Sequence, residues 1–196
     1  MPRHPDTRVE GNIINAAYNL LEEGGEHALT MRAVAKRAGT TTPTVYHRFK
    51  DKRDLAEIVR DRAVEKLVKA VAPAESPVEM CERLLDFAIA NRHLYRVFTA
   101  DWAVRLAHNA PKPTFELIKK RLAERLGGSP DDHWELAMAL GALVHGTATM
   151  LLADGVEDSI AKSLRRICVE NCEALIEHAE HAAPNSRQHR NATARP

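Results

Sequence analysis

Residues Leu29–Leu55 read LTMRAVAKRAGTTTPTVYHRFKDKRDL, and this stretch decides the fold because it holds two helices too short to stand alone. Thr30 is a good N-cap, and Met31, Val34, Ala35 and Ala38 follow at helical spacing, giving one narrow apolar stripe over about two turns. Gly39 then ends that helix as a left-handed cap. Thr41 caps a second helix whose first turn tolerates Pro43, since amides there have no intrahelical partner. Val45 and Phe49 would face inward, leaving Thr42, Thr44, His47 and Arg48 outside. Helices this short are marginal in water, so a neighbouring scaffold must hold both. The pattern reads as a helix-turn-helix.

Between Thr30 and Asp54 the cations are Arg32, Lys36, Arg37, Arg48, Lys50, Lys52 and Arg53, set against Asp51 and Asp54, a local balance of +5. The whole chain carries only +1, from 28 Lys and Arg against 27 Asp and Glu. Positive charge gathered beside a recognition helix in a near-neutral chain is the footprint of a DNA-binding module.

The same residues resemble the hallmark run of the TetR family of bacterial one-component transcriptional regulators. They are Ala35, Ala38-Gly39, Thr41, Pro43-Thr44-Val45-Tyr46-His47-Arg48-Phe49, Lys52 and Leu55, and the match covers roughly the first third of the chain. Thr40 departs from the pattern, where the family more often has Val, and its hydroxyl would need a partner. The resemblance implies an all-α protein of about nine helices, with a three-helix DNA-binding head and a larger ligand-binding and dimerisation body. It further implies a homodimer formed through the last two long helices. Two such heads would bind a palindromic double-stranded operator, as a repressor released by a small-molecule effector.

Composition agrees with one small head and one larger core: 196 residues, 44% hydrophobic and only 5% aromatic. Three cysteines and a polar N-terminus without an apolar leader argue against a secreted disulfide scaffold, so the expected location is the cytoplasm. The longest uncharged run, Leu136 to Ala153, is diluted by Gly141, His145, Gly146, Thr147 and Thr149 and flanked by acids, so it reads as a buried helix rather than a membrane span.

Taken in order, residues 1–6 read as a disordered arm carrying Arg3. Thr7 and Glu10 form a capping box for an amphipathic scaffold helix that stops at Gly24-Gly25. Asp51 caps a linking helix that ends before Pro73, and Ser76-Pro77 with Glu79 opens the next helix. A short helix then carries Leu94, Tyr95 and Phe98, and another starts near Pro113. Ser129-Pro130 caps the uncharged helix, and the last helix runs from about Val156 to Ala182, with Ile160, Leu164, Ile167, Cys168, Leu175, Ile176 and Ala179 on one face. The resulting boundaries are a head at 1–50, a linking helix at 51–72, the body at 73–182 and a disordered, solvated tail at 183–196.

For Thr42, Thr44 and His47 the sharp reading is contact with base edges in the major groove, Thr being able to pack its methyl on thymine; the plain one is an exposed helix face. Pro43 lies on the same turn. Thr30 and Thr41, at helix starts, suit phosphate oxygens, and the resemblance carries a phosphate role onto Tyr46 and Lys52. Lys36, Arg37, Lys50 and Arg53 divide evenly between phosphate contact and ordinary surface.

In the body, Tyr95, Phe98, Trp102, Phe115, Trp134, His145 and Met150 are candidate walls of an effector pocket or else core, with His145 the most distinctive because it stands alone in an uncharged helix. Gly141, Ala142, Gly146 and Ala148 would allow close backbone approach between copies. Cys168 and Cys172, one turn apart, could bind a soft metal or sense oxidation, or simply fill the core as small apolar residues. No resident metal or cofactor is expected. Neither a Gly-rich phosphate loop nor a nucleophile elbow nor a zinc-protease pair occurs, so no enzyme is expected. The competing readings are a metal- or redox-sensing regulator using Cys168 and Cys172, and a helical protein-interaction module without specific DNA binding.

Overall fold

The computed structural model describes residues 7–100 and 113–192, with side chains through 182. Among them run nine α-helices and no strand: α1 (Thr7–Ala28), α2 (Met31–Arg37), α3 (Thr42–Arg48), α4 (Lys52–Val71), α5 (Pro77–Ala90), α6 (Arg92–Ala100), α7 (Pro113–Leu126), α8 (Trp134–Leu151) and α9 (Asp158–Ala192). The arm at 1–6 and the candidate Trp102 lie outside the described residues. By contact the chain falls into two compact units, Met1–Leu67 with Ala90–Ala110 and Val68–Ile89 with Pro111–Pro196.

The head unit closes around Ile13, Ala17 and Leu21 of α1, Met31, Val34 and Ala35 of α2, Val45 and Phe49 of the α3 region, Leu55, Val59 and Ala63 of α4, and Leu94 and Val97 of α6. This is the scaffold the short helices require, extended by one helix. Scaffold helix α1 does not stop at Gly24-Gly25. It breaks at Gly25 (φ 68°, ψ −162°) and then completes one further turn to Ala28. Glycine is required there twice over, because the backbone is left-handed and a Cβ would lie 2.9 Å from His93 Nδ1 on α6. Thr7 is already helical, so it is not the N-cap expected of it, and the Glu10 carboxylate pairs with Arg48 at 3.6 Å.

In the body unit, Ser76 Oγ accepts the Glu79 amide at 3.1 Å and the Glu79 carboxylate accepts the Glu75 amide at 2.7 Å, the reciprocal cap expected for α5. Ser129-Pro130 instead opens a short 3-10 turn, Pro130–His133, in which Asp132 accepts the Ser129 amide at 2.8 Å; α8 starts only at Trp134. Helix α9 starts two residues later than expected and its backbone stays helical to Ala192, into the stretch read as a solvated tail. No helix among the described residues is long and apolar enough to cross a membrane.

The apolar face expected on α9 divides in two. Cys168, Cys172 and Ile176 are buried, whereas Ile160, Ile167 and Leu175 are 51%, 46% and 37% exposed. At 100° per residue these six span roughly half the helix circumference, too wide for one packing partner. Helix α8 behaves alike: Leu140, Val144 and Ala148 face the core, while Gly141, Ala142, Gly146 and Met150 are exposed. A Cβ added at Gly141 or Gly146 would meet nothing within 4 Å.

Candidate DNA-binding interface

Local capping sets the interface. Thr30 Oγ1 accepts the Ala33 amide at 3.1 Å and starts α2. At the other end Gly39 (φ 64°) reverses the chain, so that the Thr40 amide reaches Ala35 O at 3.0 Å and the Gly39 amide reaches Lys36 O at 3.4 Å. That pair of bonds is a Schellman closure, and it fixes the turn into α3. Thr40 takes part through its amide, with its side chain half-buried.

Thr41 then caps α3, its Oγ1 accepting the Thr44 amide at 3.3 Å and lying 2.9 Å from Thr44 Oγ1. Val45 and Phe49, 0% and 2% exposed, anchor α3 from within. On the outside, Pro43, Tyr46 and His47 are exposed and Thr42 and Thr44 half-buried. Asp51 Oδ1 accepts the Arg53 and Asp54 amides at 2.8 and 2.9 Å, and the Asp54 carboxylate in turn accepts the Lys50 amide at 3.0 Å, which fixes α4 just beyond α3. The Asp54 amide above all, with that of Arg53, holds the Asp51 carboxyl below the usual range.

The seven cations separate into three kinds. Arg37 grips Glu23 of α1 with two bonds of 2.7 Å, which lowers the Glu23 pKa and raises that of Arg37. Arg48 is half-buried and turned to Glu10, not standing free on the outer face as its position suggested. Lys52, exposed at the start of α4, donates one hydrogen bond to Glu26 O at 3.0 Å. Among the described residues Arg32, Lys36, Lys50 and Arg53 are exposed and form no ion pair. Sequence spacing could not show the pairing of Arg37 and Arg48, since their carboxylates come from α1.

The candidate effector residues are divided between the two units. Tyr95 is buried and lies against Phe98, ring centroids 6.0 Å apart, both in the head unit. Phe115, His145 and Met150 belong to the body unit. Phe115 meets Trp134 edge-on at 5.6 Å, and Met150 is 57% exposed. His145 is half-buried, and burial holds its pKa below the ordinary value, favouring neutral imidazole.

Two features escaped the sequence reading. Lys119 is buried, its ammonium paired with Asp131 at 2.7 Å and Glu116 at 2.8 Å beside the Phe115 ring. Cys81 of α5 joins Cys168 and Cys172: contact between the thiols and burial push Cys168 up, and Cys172, whose bond with Cys168 lowers its pKa, is pushed up to about 12 by Cys81 and burial. Among the described residues no group of three or more His, Cys, Asp or Glu is placed to hold a metal ion.

Two family models match the chain, one after the other. Residues 13–59 match the model for bacterial regulatory proteins of the tetR family, and residues 78–170 match the tetracyclin repressor-like C-terminal domain. An HTH-type transcriptional regulator from the dhlA 5′ region of Xanthobacter autotrophicus is 23% identical over 81% of this chain and 87% of its own length. The HTH-type transcriptional repressor KstR2 of Mycolicibacterium smegmatis is 28% identical over 63% of this chain and 62% of its own. In fold, a TetR-like transcriptional regulator from Rhodococcus sp. RHA1 superposes with a TM-score of 0.53 at 21% identity, covering 89% of this chain and 96% of that one. With a capped helix-turn-helix at one end and a matching regulatory domain at the other, the chain belongs to the TetR family of DNA-binding transcriptional regulators.

Proposed function

We propose that the chain acts in the cytoplasm as a homodimeric repressor that sets two α3 helices into successive major grooves of an inverted-repeat operator. The observation that carries this reading is the outer side of α3, which offers Thr42, Thr44 and His47, while the exposed Arg32, Lys36, Lys50 and Arg53 on the flanking segments form no ion pair among the described residues. In this arrangement Thr42, Thr44 and His47, with Pro43 beside them, meet base edges. Thr30, Thr41, Tyr46 and Lys52 meet the phosphate backbone and set register. Tyr46, 54% exposed although aromatic, is suited to that role.

Dimerisation through α8 and α9 is supported by the open half of their apolar surface, Met150, Ile160, Ile167 and Leu175 beside Gly141, Ala142 and Gly146. Release by a small-molecule effector would require it to bind the released state more tightly than the DNA-bound one. This reading assigns such a guest to the neighbourhood of Phe115 and His145, the half-buried histidine supplying a polar group beside an aromatic wall. Sensing through Cys168 and Cys172 is disfavoured, because both are buried and their pKa values are raised, which suppresses the reactive thiolate. Cys168→Ser and Cys172→Ser variants should keep the response to the inducing condition.

Selection of bound fragments from random duplex DNA by the purified protein, at two salt concentrations, tests the proposal. An inverted repeat that survives the higher salt is the expected result. Binding without any motif that vanishes as salt rises would indicate electrostatics alone and favour a protein-interaction module.

A further inference from the structure

Resting on the assignment of α3 as the reading helix, we infer that Thr44 reads its base pair through its γ-methyl group and thereby selects thymine. Its hydroxyl is already engaged. Thr41 Oγ1 lies 2.9 Å from Thr44 Oγ1 and also accepts the Thr44 amide at 3.3 Å. A hydroxyl has one donor and two acceptor positions. When the Thr44 hydroxyl donates to Thr41, both acceptor positions of Thr41 are filled and the one proton left over belongs to Thr41.

That orientation is favoured over its reverse because Thr41 is exposed and Thr44 half-buried: the unused proton stays in water instead of in the more enclosed site. Thr44 then has no proton to offer a base. With Oγ1 committed to Thr41, the γ-methyl is the other group Thr44 has to offer, and Thr44 stands three residues from the exposed His47 and therefore on the same side of α3. In the major groove the only apolar group on a standard base is the C5-methyl of thymine. A methyl without a hydroxyl donor beside it prefers that partner and gains nothing from the acceptor edges of guanine.

Deoxyuridine, which lacks the C5-methyl, isolates this contact. Thymines of the selected half-site are replaced one at a time, and dissociation constants are measured for the full-length wild type, Thr44→Val and Thr44→Ser, with thermal melting to verify folding. At one thymine per half-site, deoxyuridine should weaken the wild type and Thr44→Val about fourfold, the worth of one buried methyl. Thr44→Ser should bind the thymine and deoxyuridine duplexes equally. On thymine sites Thr44→Val should stay within about twofold of the wild type. A motif in which no thymine responds, with Thr44→Val weakened and Thr44→Ser intact, would show that the hydroxyl does the reading and overturn this inference alone. A selection that returns no motif would overturn the reading-helix assignment and this inference with it.

Discussion

The head and body units treat apolar surface in opposite ways. In the α2–α3 segment Met31, Val34, Ala35, Val45 and Phe49 are all buried, and apart from Gly39, Pro43 and Tyr46 the exposed residues are polar or basic. In the body, α8 and α9 keep Trp134, Met150, Ile160, Ile167 and Leu175 substantially exposed even though their other faces are fully packed. The head has finished its folding within one chain and offers charge and hydroxyls to a polyanion. The body has apolar surface still to cover, and under the proposal a second copy covers it.

The sharpest way to break this contrast is to exchange an inner aromatic for an outer one within the head. Phe49→Ala should destabilise the protein by about 3–4 kcal/mol, the loss of a buried aromatic and the cavity it leaves, seen as a lowered denaturation midpoint. Tyr46→Ala, a few residues away, should leave stability nearly unchanged and weaken binding to the selected duplex about tenfold. Equal losses of stability would mean that the outer face is not a surface held ready for DNA.

The body is tested by placing a charge where the second copy is expected. Ala142→Glu should raise the concentration needed for dimerisation about a hundredfold in sedimentation velocity while helicity is kept, because an unpaired carboxylate would be buried against the partner. A variant that sediments as the wild type does would place the dimer contact elsewhere.

Smaller effects sharpen the picture of the head's charge. Lys36→Gln or Lys50→Gln should each reduce the slope of log K against log salt by up to about 1, whereas Arg37→Gln should leave the slope nearly unchanged because Glu23 already neutralises Arg37. The smallest effect is acid sensitivity at Asp51. Its folded pKa is depressed by the amides it caps, so its contribution is fully present above the unfolded value of about 3.9 and is lost as pH falls through the lower folded value. Asp51→Asn, which keeps a capping oxygen, should flatten that part of the stability–pH curve, measured by melting between pH 5 and pH 2. An unchanged curve would assign the acid transition to other carboxylates.

What was legible in the chain was local. Thr30, Gly39, Thr41, Asp51 and Ser76 act within three or four residues of themselves, so their roles follow from spacing, and the structure places each at the expected helix end. Contacts between distant elements were not legible in this way. Arg48 meets Glu10, Gly25 yields to His93, and Cys81 joins Cys172, each across a separation that no helical period encodes. The division of the α9 face is an intermediate case: its width of roughly half a turn was present in the sequence, but which side faced its own core depended on where α8 packed. The effector candidates were the least legible, because aromatic and sulfur-containing side chains suit a core and a cavity equally. Tyr95 and Phe98 lie in the head unit and Met150 faces outward.

The central claim is that two heads are joined by two bodies on one operator, and the mass of the protein–DNA complex tests it most directly. Sedimentation of the purified chain on the selected duplex and on a duplex carrying a single half-site compares the two arrangements. Whole pairs of chains are expected on the inverted repeat, with at least about tenfold weaker binding to the isolated half-site. A single chain per duplex, binding both DNAs with equal affinity, would contradict it.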